Sequence, residues 1–174
     1  PSMDILISSN LERLLYLLSG SDAEVRGYME QLNKTGRYEV SKDMLEKIQD
    51  NFLCGFCDDE RTTNAIGKVF SHGKYLMDTH TAVAYTVMMD HRATGDATPT
   101  VVVSTASPFK FCDSVLTALG VQDQRGGVEI LDQLAEVSGK AAPAPLAGLK
   151  GKARRFDQVV EKQQMADVVR EALV

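Results

Sequence analysis

Hydroxyl groups that leave a buried β-branched run are the first place to look for chemistry in this chain. Thr100 to Val103 is such a run, and Ser104-Thr105-Ala106-Ser107-Pro108-Phe109-Lys110-Phe111 follows it. A hydroxyl at the carboxyl end of a strand can give or accept one hydrogen bond, and ligands of open α/β sheets bind at those ends. Lys110, at the start of the next helix, can face an anion there. The plainer reading of Ser104, Thr105 and Ser107 is that they cap that helix, since Ser and Thr are preferred caps.

His80, within Asp78-Thr79-His80-Thr81, stands one residue before a capping Thr and an apolar helix. It is either an acid–base or phosphate-facing group or a packed histidine bonded to backbone. His72 and His91 fall at helix ends, where a cation complements the helix dipole, and the three histidines show no metal-ligand spacing. Cys54-Gly55-Phe56-Cys57 lies between a strand pattern and a helix pattern, as a redox pair would. The neighbouring Asp58, Asp59 and Glu60 disfavour a thiolate, so the cysteines read as small, buried apolar residues. Lys150, Lys152, Arg154 and Arg155 read as a solvated basic patch.

Several elements must position these groups. Met3 to Ile7, Phe52 to Phe56 and Thr100 to Val103 are short, apolar and strand-like. Helices are expected over Leu11 to Leu18, from Asp22 to about Leu32, over Lys42 to Asp50, from Asp58 to about Ser71, Lys110 to Leu119 and Val128 to Val137. Ala82 to Met89, almost uncharged, is expected to be a helix lying deep in the molecule, and Phe156 to Leu173 an amphipathic terminal helix. Strands alternating with helices predict an α/β unit with helices around a small, mainly parallel sheet. Residues 1–139 would form its core, 140–155 a connector and 156–174 the terminal helix.

The 174 residues suffice for one such unit, and 44% apolar with 25% charged residues excludes disorder and collagen-like structure. A net charge of −5 supplies no positive field to gather phosphates, which argues against nucleic acid as a partner. No apolar stretch reaches a bilayer span, so no membrane partner is expected. Three cysteines are odd in number and too few for a disulfide scaffold, so a reducing cytoplasm is the expected location. The opening Pro1-Ser2-Met3-Asp4-Ile5 runs straight into an apolar stretch, and the chain reads as cut from something longer.

Three ordered motifs carry a family resemblance. Ser104 to Phe111 resembles the Thr-Ala-His-Pro-Ala-Lys-Phe turn of threonine synthases, pyridoxal-phosphate enzymes of the tryptophan-synthase-β fold type (fold type II). Asp78-Thr79-His80-Thr81-Ala82-Val83-Ala84 resembles their Asp-Pro-His-Thr-Ala-Val-Ala segment, and Pro1 to Ile5 with Ser9 to Leu14 their Ser-Pro-Ser-Met-Asp-Ile block and following helix. The chain departs from the pattern at Thr79, Ser107 and Phe109, where the family has Pro, His and Ala.

The resemblance implies the C-terminal portion of a lyase of threonine biosynthesis, converting O-phospho-L-homoserine and water to L-threonine and phosphate with pyridoxal 5'-phosphate. On the family's motif Thr105 meets the cofactor's pyridine nitrogen as a neutral hydroxyl, with Ser104 beside it; His80 and Lys110 are candidates for the active-site wall. The Schiff-base lysine and the phosphate loop lie upstream of the matching block in the family. They are expected to come from a missing N-terminal portion, leaving this piece inactive alone. The rival reading is a non-catalytic α/β binding or interaction module.

Overall fold

The computed structural model describes residues 7–153 and 158–173. The expected strand at Met3 to Ile7 falls mainly outside these residues, as do Arg154, Arg155 and Phe156.

The first three helices form one cluster. α1 (Ser9–Ser19) starts at Ser8, whose hydroxyl accepts from the Leu11 amide, and stops at Gly20, which takes the left-handed conformation at φ 68°. α2 (Asp22–Thr35) is capped by Ser21 rather than by Asp22, which sits in the first turn where negative charge complements the dipole. α3 (Lys42–Gln49) is capped by Ser41. α1 packs on both partners, and Leu15, Tyr28 and Met44 meet in the buried centre with Leu18, Val25 and Ile48 around them.

The second cluster is larger. α4 (Asp59–Gly73), capped by Asp58, packs against α5 (Thr79–Arg92) and α6 (Cys112–Ala118), and α6 packs on α7 (Glu129–Ser138). Ile66, Leu76, Met77, Ala82, Leu116 and Leu134 are among its buried residues. Gly67 permits the approach of α4 to α6, because a Cβ there would lie 2.6 Å from the Ala118 carbonyl oxygen.

Among the described residues there is no strand, so the predicted α/β class with its parallel sheet is corrected to an all-helical arrangement. Phe52 to Phe56 and Thr100 to Val103 have no ladder partner among the described residues. Most of their apolar side chains face outward, with Phe56 84% and Val101 86% exposed. A helix satisfies its backbone hydrogen bonds within its own segment, whereas a strand needs a neighbour, and a periodicity pattern does not say whether one is present.

Two further expectations change. α5 is apolar along most of its length, but only Thr81 and Ala82 are buried, and Met89 is exposed. It packs on α4, with Gly55 against Val87 and Ser104 and Phe111 against its first turn, but most of its residues stay half-buried or exposed, so it does not lie deep in the molecule. The C-terminal helix is shorter than expected: residues 158–161 are not helical, a 3₁₀ turn spans Lys162–Gln164, and α9 occupies Met165–Ala172 after the short α8 at Ala144–Ala147. Val159, Val169 and Leu173, apolar residues of that expected amphipathic helix, are exposed.

Candidate functional site

The N-terminus of α5 is built around Asp78, which is fully buried. Its Oδ1 accepts from the His80 amide at 2.9 Å and the Thr81 amide at 3.2 Å, two of the donors that a helix start leaves without intrahelical partners. Its Oδ2 is hydrogen-bonded to the Thr81 hydroxyl. A buried carboxylate at a helix N-terminus is stabilised by the dipole and by these donors together.

Thr81 reaches across to the other motif, its Oγ1 lying 3.0 Å from Ser104 Oγ. A second contact joins the same segments, the His80 ring against the Phe111 ring at 5.0 Å between centroids. His80 Nδ1 is buried without a hydrogen-bond partner, 3.4 Å from Asp78 Oδ1. The Thr79 hydroxyl is likewise buried and unpartnered.

The hydroxyls of the 104–107 turn have separate fates. Ser107 is a cap, accepting from the Phe109 amide at 3.3 Å at the start of a 3₁₀ turn over Pro108–Lys110. Ser104 is bonded to Thr81. Thr105 is exposed. The capping reading therefore holds for Ser107 alone. Lys110 is exposed and lines a separate groove of about 330 Å³ with Phe109, Asp113, Arg125 and Leu131.

A larger groove of about 760 Å³ lies beside the α5 start, lined by Phe56, Thr62, Thr79, Val83, Phe111 and Ser114 among others. The extended 52–57 segment forms one wall, held close to α5 by Gly55; a Cβ there would lie 2.7 Å from Val87 Cγ1. Cys57 also lines this groove, its Sγ 3.3 Å from the Thr62 hydroxyl, while Cys54 is exposed, so these two cysteines are not the buried apolar residues expected. His72 and His91 do fall in the last turns of α4 and α5. Among the described residues no three His, Cys, Asp or Glu side chains are placed to share a metal ion, and no helix is long and apolar enough to cross a membrane.

Residues 81–171, just over half of the chain, match the family described as "Threonine synthase, C-terminal". The chain belongs to the threonine synthase family. It is 34% identical over 124 residues to "Threonine synthase-like 1" of Macaca fascicularis, a match covering 71% of this chain and 16% of that protein. A crystal structure of threonine synthase from yeast aligns with 99% of this chain at 26% identity and a TM-score of 0.72, using 36% of its own length. A pyridoxal-phosphate-bound threonine synthase from Brucella melitensis aligns with 80% of it at 36% identity and a TM-score of 0.59, over 29% of that structure. The chain thus spans only a minor part of the threonine synthases it matches.

The donor set of this region suits one edge of pyridoxal phosphate and not the whole of it. Ser104 and Thr105 are neutral hydroxyls of the kind that fits an unprotonated ring nitrogen. All ten lysines are exposed, and none sits in an apolar pocket that would lower its charge.

The motif residues themselves were visible in the sequence. The burial of Asp78 and the bond between Thr81 and Ser104 were not, although Thr81 stands three residues after an Asp cap, at the spacing where side chains and cap meet.

Proposed function

We propose that this chain is the C-terminal part of a threonine synthase that converts O-phospho-L-homoserine and water to L-threonine and phosphate with pyridoxal phosphate, as a carbon–oxygen lyase of the cytoplasm. The observation that supports this most is the joining of the two family motifs at one place. Asp78 to Thr81 and Ser104 to Phe111 are more than twenty residues apart in sequence, yet Thr81 meets Ser104 and His80 meets Phe111.

Pyridoxal phosphate, when bound, withdraws electrons from the substrate carbon, so that phosphate can leave and water can add. The Thr105 hydroxyl is the group that would hold the ring nitrogen, as a hydrogen-bond donor. A hydroxyl is too weak an acid to transfer its proton, so it leaves that nitrogen neutral and limits the electron withdrawal, where a carboxylic acid would increase it. Ser104 anchors the turn on Thr81 and holds Thr105 at its exposed end. His80, its ring tilted 49° against that of Phe111, forms the adjoining wall.

The covalent lysine and the phosphate cradle come from another portion of the enzyme. That portion also covers the open faces of α5 and the apolar side chains of residues 52–56 and 101–103, since apolar area of this extent is stabilised by burial.

The test is phosphate release from O-phosphohomoserine by the full-length protein that carries this chain. Wild type is expected to turn over, and Thr105→Val to lose rate and change the spectrum of the bound cofactor. The 174-residue chain alone should give no turnover and no saturable imine absorbance. Wild-type rate and spectrum in Thr105→Val would remove Thr105 from the site, and an imine abolished by substituting one lysine of the isolated chain would overturn the division of labour.

A further inference from the structure

We infer that the groove of about 760 Å³ beside α5 seats a basic side chain, Lys or Arg, carried by the portion of the enzyme outside this chain. This rests on the reading above that such a portion covers the apolar residues 52–56.

The groove has carboxylates and no cation. Asp58 and Asp59 at the start of α4 and Asp113 on α6 line it, and no Lys, Arg or His does. Asp58 is occupied as a cap, its Oδ1 accepting from the Arg61 amide at 2.8 Å. Among the described residues the Asp59 and Asp113 carboxylates take part in no ion pair and no hydrogen bond. Asp113 also borders the neighbouring groove with Lys110 and Arg125, but Arg125 is taken by Glu136 and neither cation pairs with Asp113.

Exposed carboxylates are satisfied by water, and covering them changes that. Phe56, 84% exposed, lines the same groove, so whatever buries its ring also displaces water from Asp59 and Asp113. A carboxylate taken out of water is costly unless an opposite charge meets it. The covering portion must therefore bring a cation, and the rings of Phe56 and Phe111 on the groove's walls suit the stem and head of a Lys or Arg. The Thr79 hydroxyl, buried and without a partner on the same wall, adds an acceptor for its N–H groups. Most of the enzyme is available to supply this side chain, since the alignment that takes in 99% of this chain uses only 36% of the yeast threonine synthase.

Complementing the α4 dipole does not account for the arrangement. Glu60 shares that first turn with Asp59 but does not line the groove, so the two acids separate a role at the helix start from a role toward a partner.

The test is thermal unfolding of the full-length protein that carries this chain, set beside the 174-residue chain. In the full-length protein Asp59→Asn and Asp113→Asn should each lower the melting temperature, and Asp59→Lys and Asp113→Lys should lower it further by placing like charges together. Glu60→Gln should shift it less than Asp59→Asn. In the 174-residue chain, where both carboxylates stay in water, Asp59→Asn should do no more than Glu60→Gln. Equal shifts for Asp59→Asn and Glu60→Gln in the full-length protein would overturn the inference, as would a melting temperature raised by Asp113→Lys. Saturable binding of ethylammonium chloride to the 174-residue chain, lost in the Asp59→Asn, Asp113→Asn double variant while the full-length protein is unmoved, would assign the groove to a free amine and overturn it too. Phosphate release from O-phosphohomoserine, measured on the same full-length wild type, keeps the two readings apart. Turnover with silent substitutions leaves the enzyme reading standing and removes the docking, and the expected shifts in a protein without turnover do the reverse.

Discussion

The α4–α7 cluster and the two extended segments beside it are equally apolar in sequence and opposite in burial. Leu116, Val115, Ile66 and Leu134 are fully enclosed, whereas Leu53, Phe56, Val101 and Val103, no less apolar, are mostly exposed. Each helix closes its own backbone hydrogen bonds and brings only a side-chain face to its neighbours. The extended segments have open backbone groups as well as apolar side chains, and among the described residues nothing pairs with them. Apolar character determines what a segment would gain by burial, while the partner present determines whether it is buried.

Truncating a side chain in each region tests this most strongly. Leu116→Ala should cost about 2–5 kcal/mol in urea unfolding, through lost contacts and a cavity in a packed interior. Val101→Ala should cost under about 0.5 kcal/mol in the 174-residue chain. Equal costs would mean that the two regions do not differ in burial.

Two glycines on helices should give smaller effects of opposite sign. Gly67→Ala should destabilise by about 1–3 kcal/mol, because its new methyl meets the Ala118 backbone and α4 must move from α6. Gly27→Ala on α2 meets nothing within 4 Å and should stabilise by about 0.4–1 kcal/mol through helix propensity and a less flexible unfolded chain. A melting curve for each variant gives the signs.

The thiols probe the same contrast chemically. Cys54, in an extended segment, should react with a disulfide reagent at once, and buried Cys112 only as fast as the core opens. Burial, with the Asp113 charge adding to it, pushes the Cys112 thiol above its ordinary range. Above the unfolded thiol's pKa, about 8.5, the unfolded chain loses this proton while the folded one keeps it. Stability should therefore be unaffected by Cys112 below that pH and fall as pH rises toward the raised folded value. Cys112→Ala should remove this part of the alkaline slope.

The smallest effect belongs to the surface. Arg61 donates to both oxygens of Asp90, at 2.7 and 2.8 Å, tying α4 to α5 in water. Asp90 holds the Arg61 guanidinium above its ordinary range. Arg61→Ala should shift the melting temperature less than any core change, and the shift should shrink in high salt.

The sequence alone determined where helices start and stop wherever the signal was a side chain acting on its own neighbours. Ser8, Ser41 and Asp58 cap as their types require, and Gly20 and Gly36 end helices in the left-handed conformation. It also determined the family, through motifs that are strings of adjacent residues. It did not determine whether the apolar runs at 52–56 and 100–103 had strand partners, because pairing is a long-range contact that neither run encodes. Nor could it separate Ser104, Thr105 and Ser107, three hydroxyls in four positions. Only the tertiary structure did so, by bringing Thr81 to Ser104 across more than twenty residues of chain. A hydroxyl's role depends on which neighbour takes its one proton, and that neighbour is chosen by the fold.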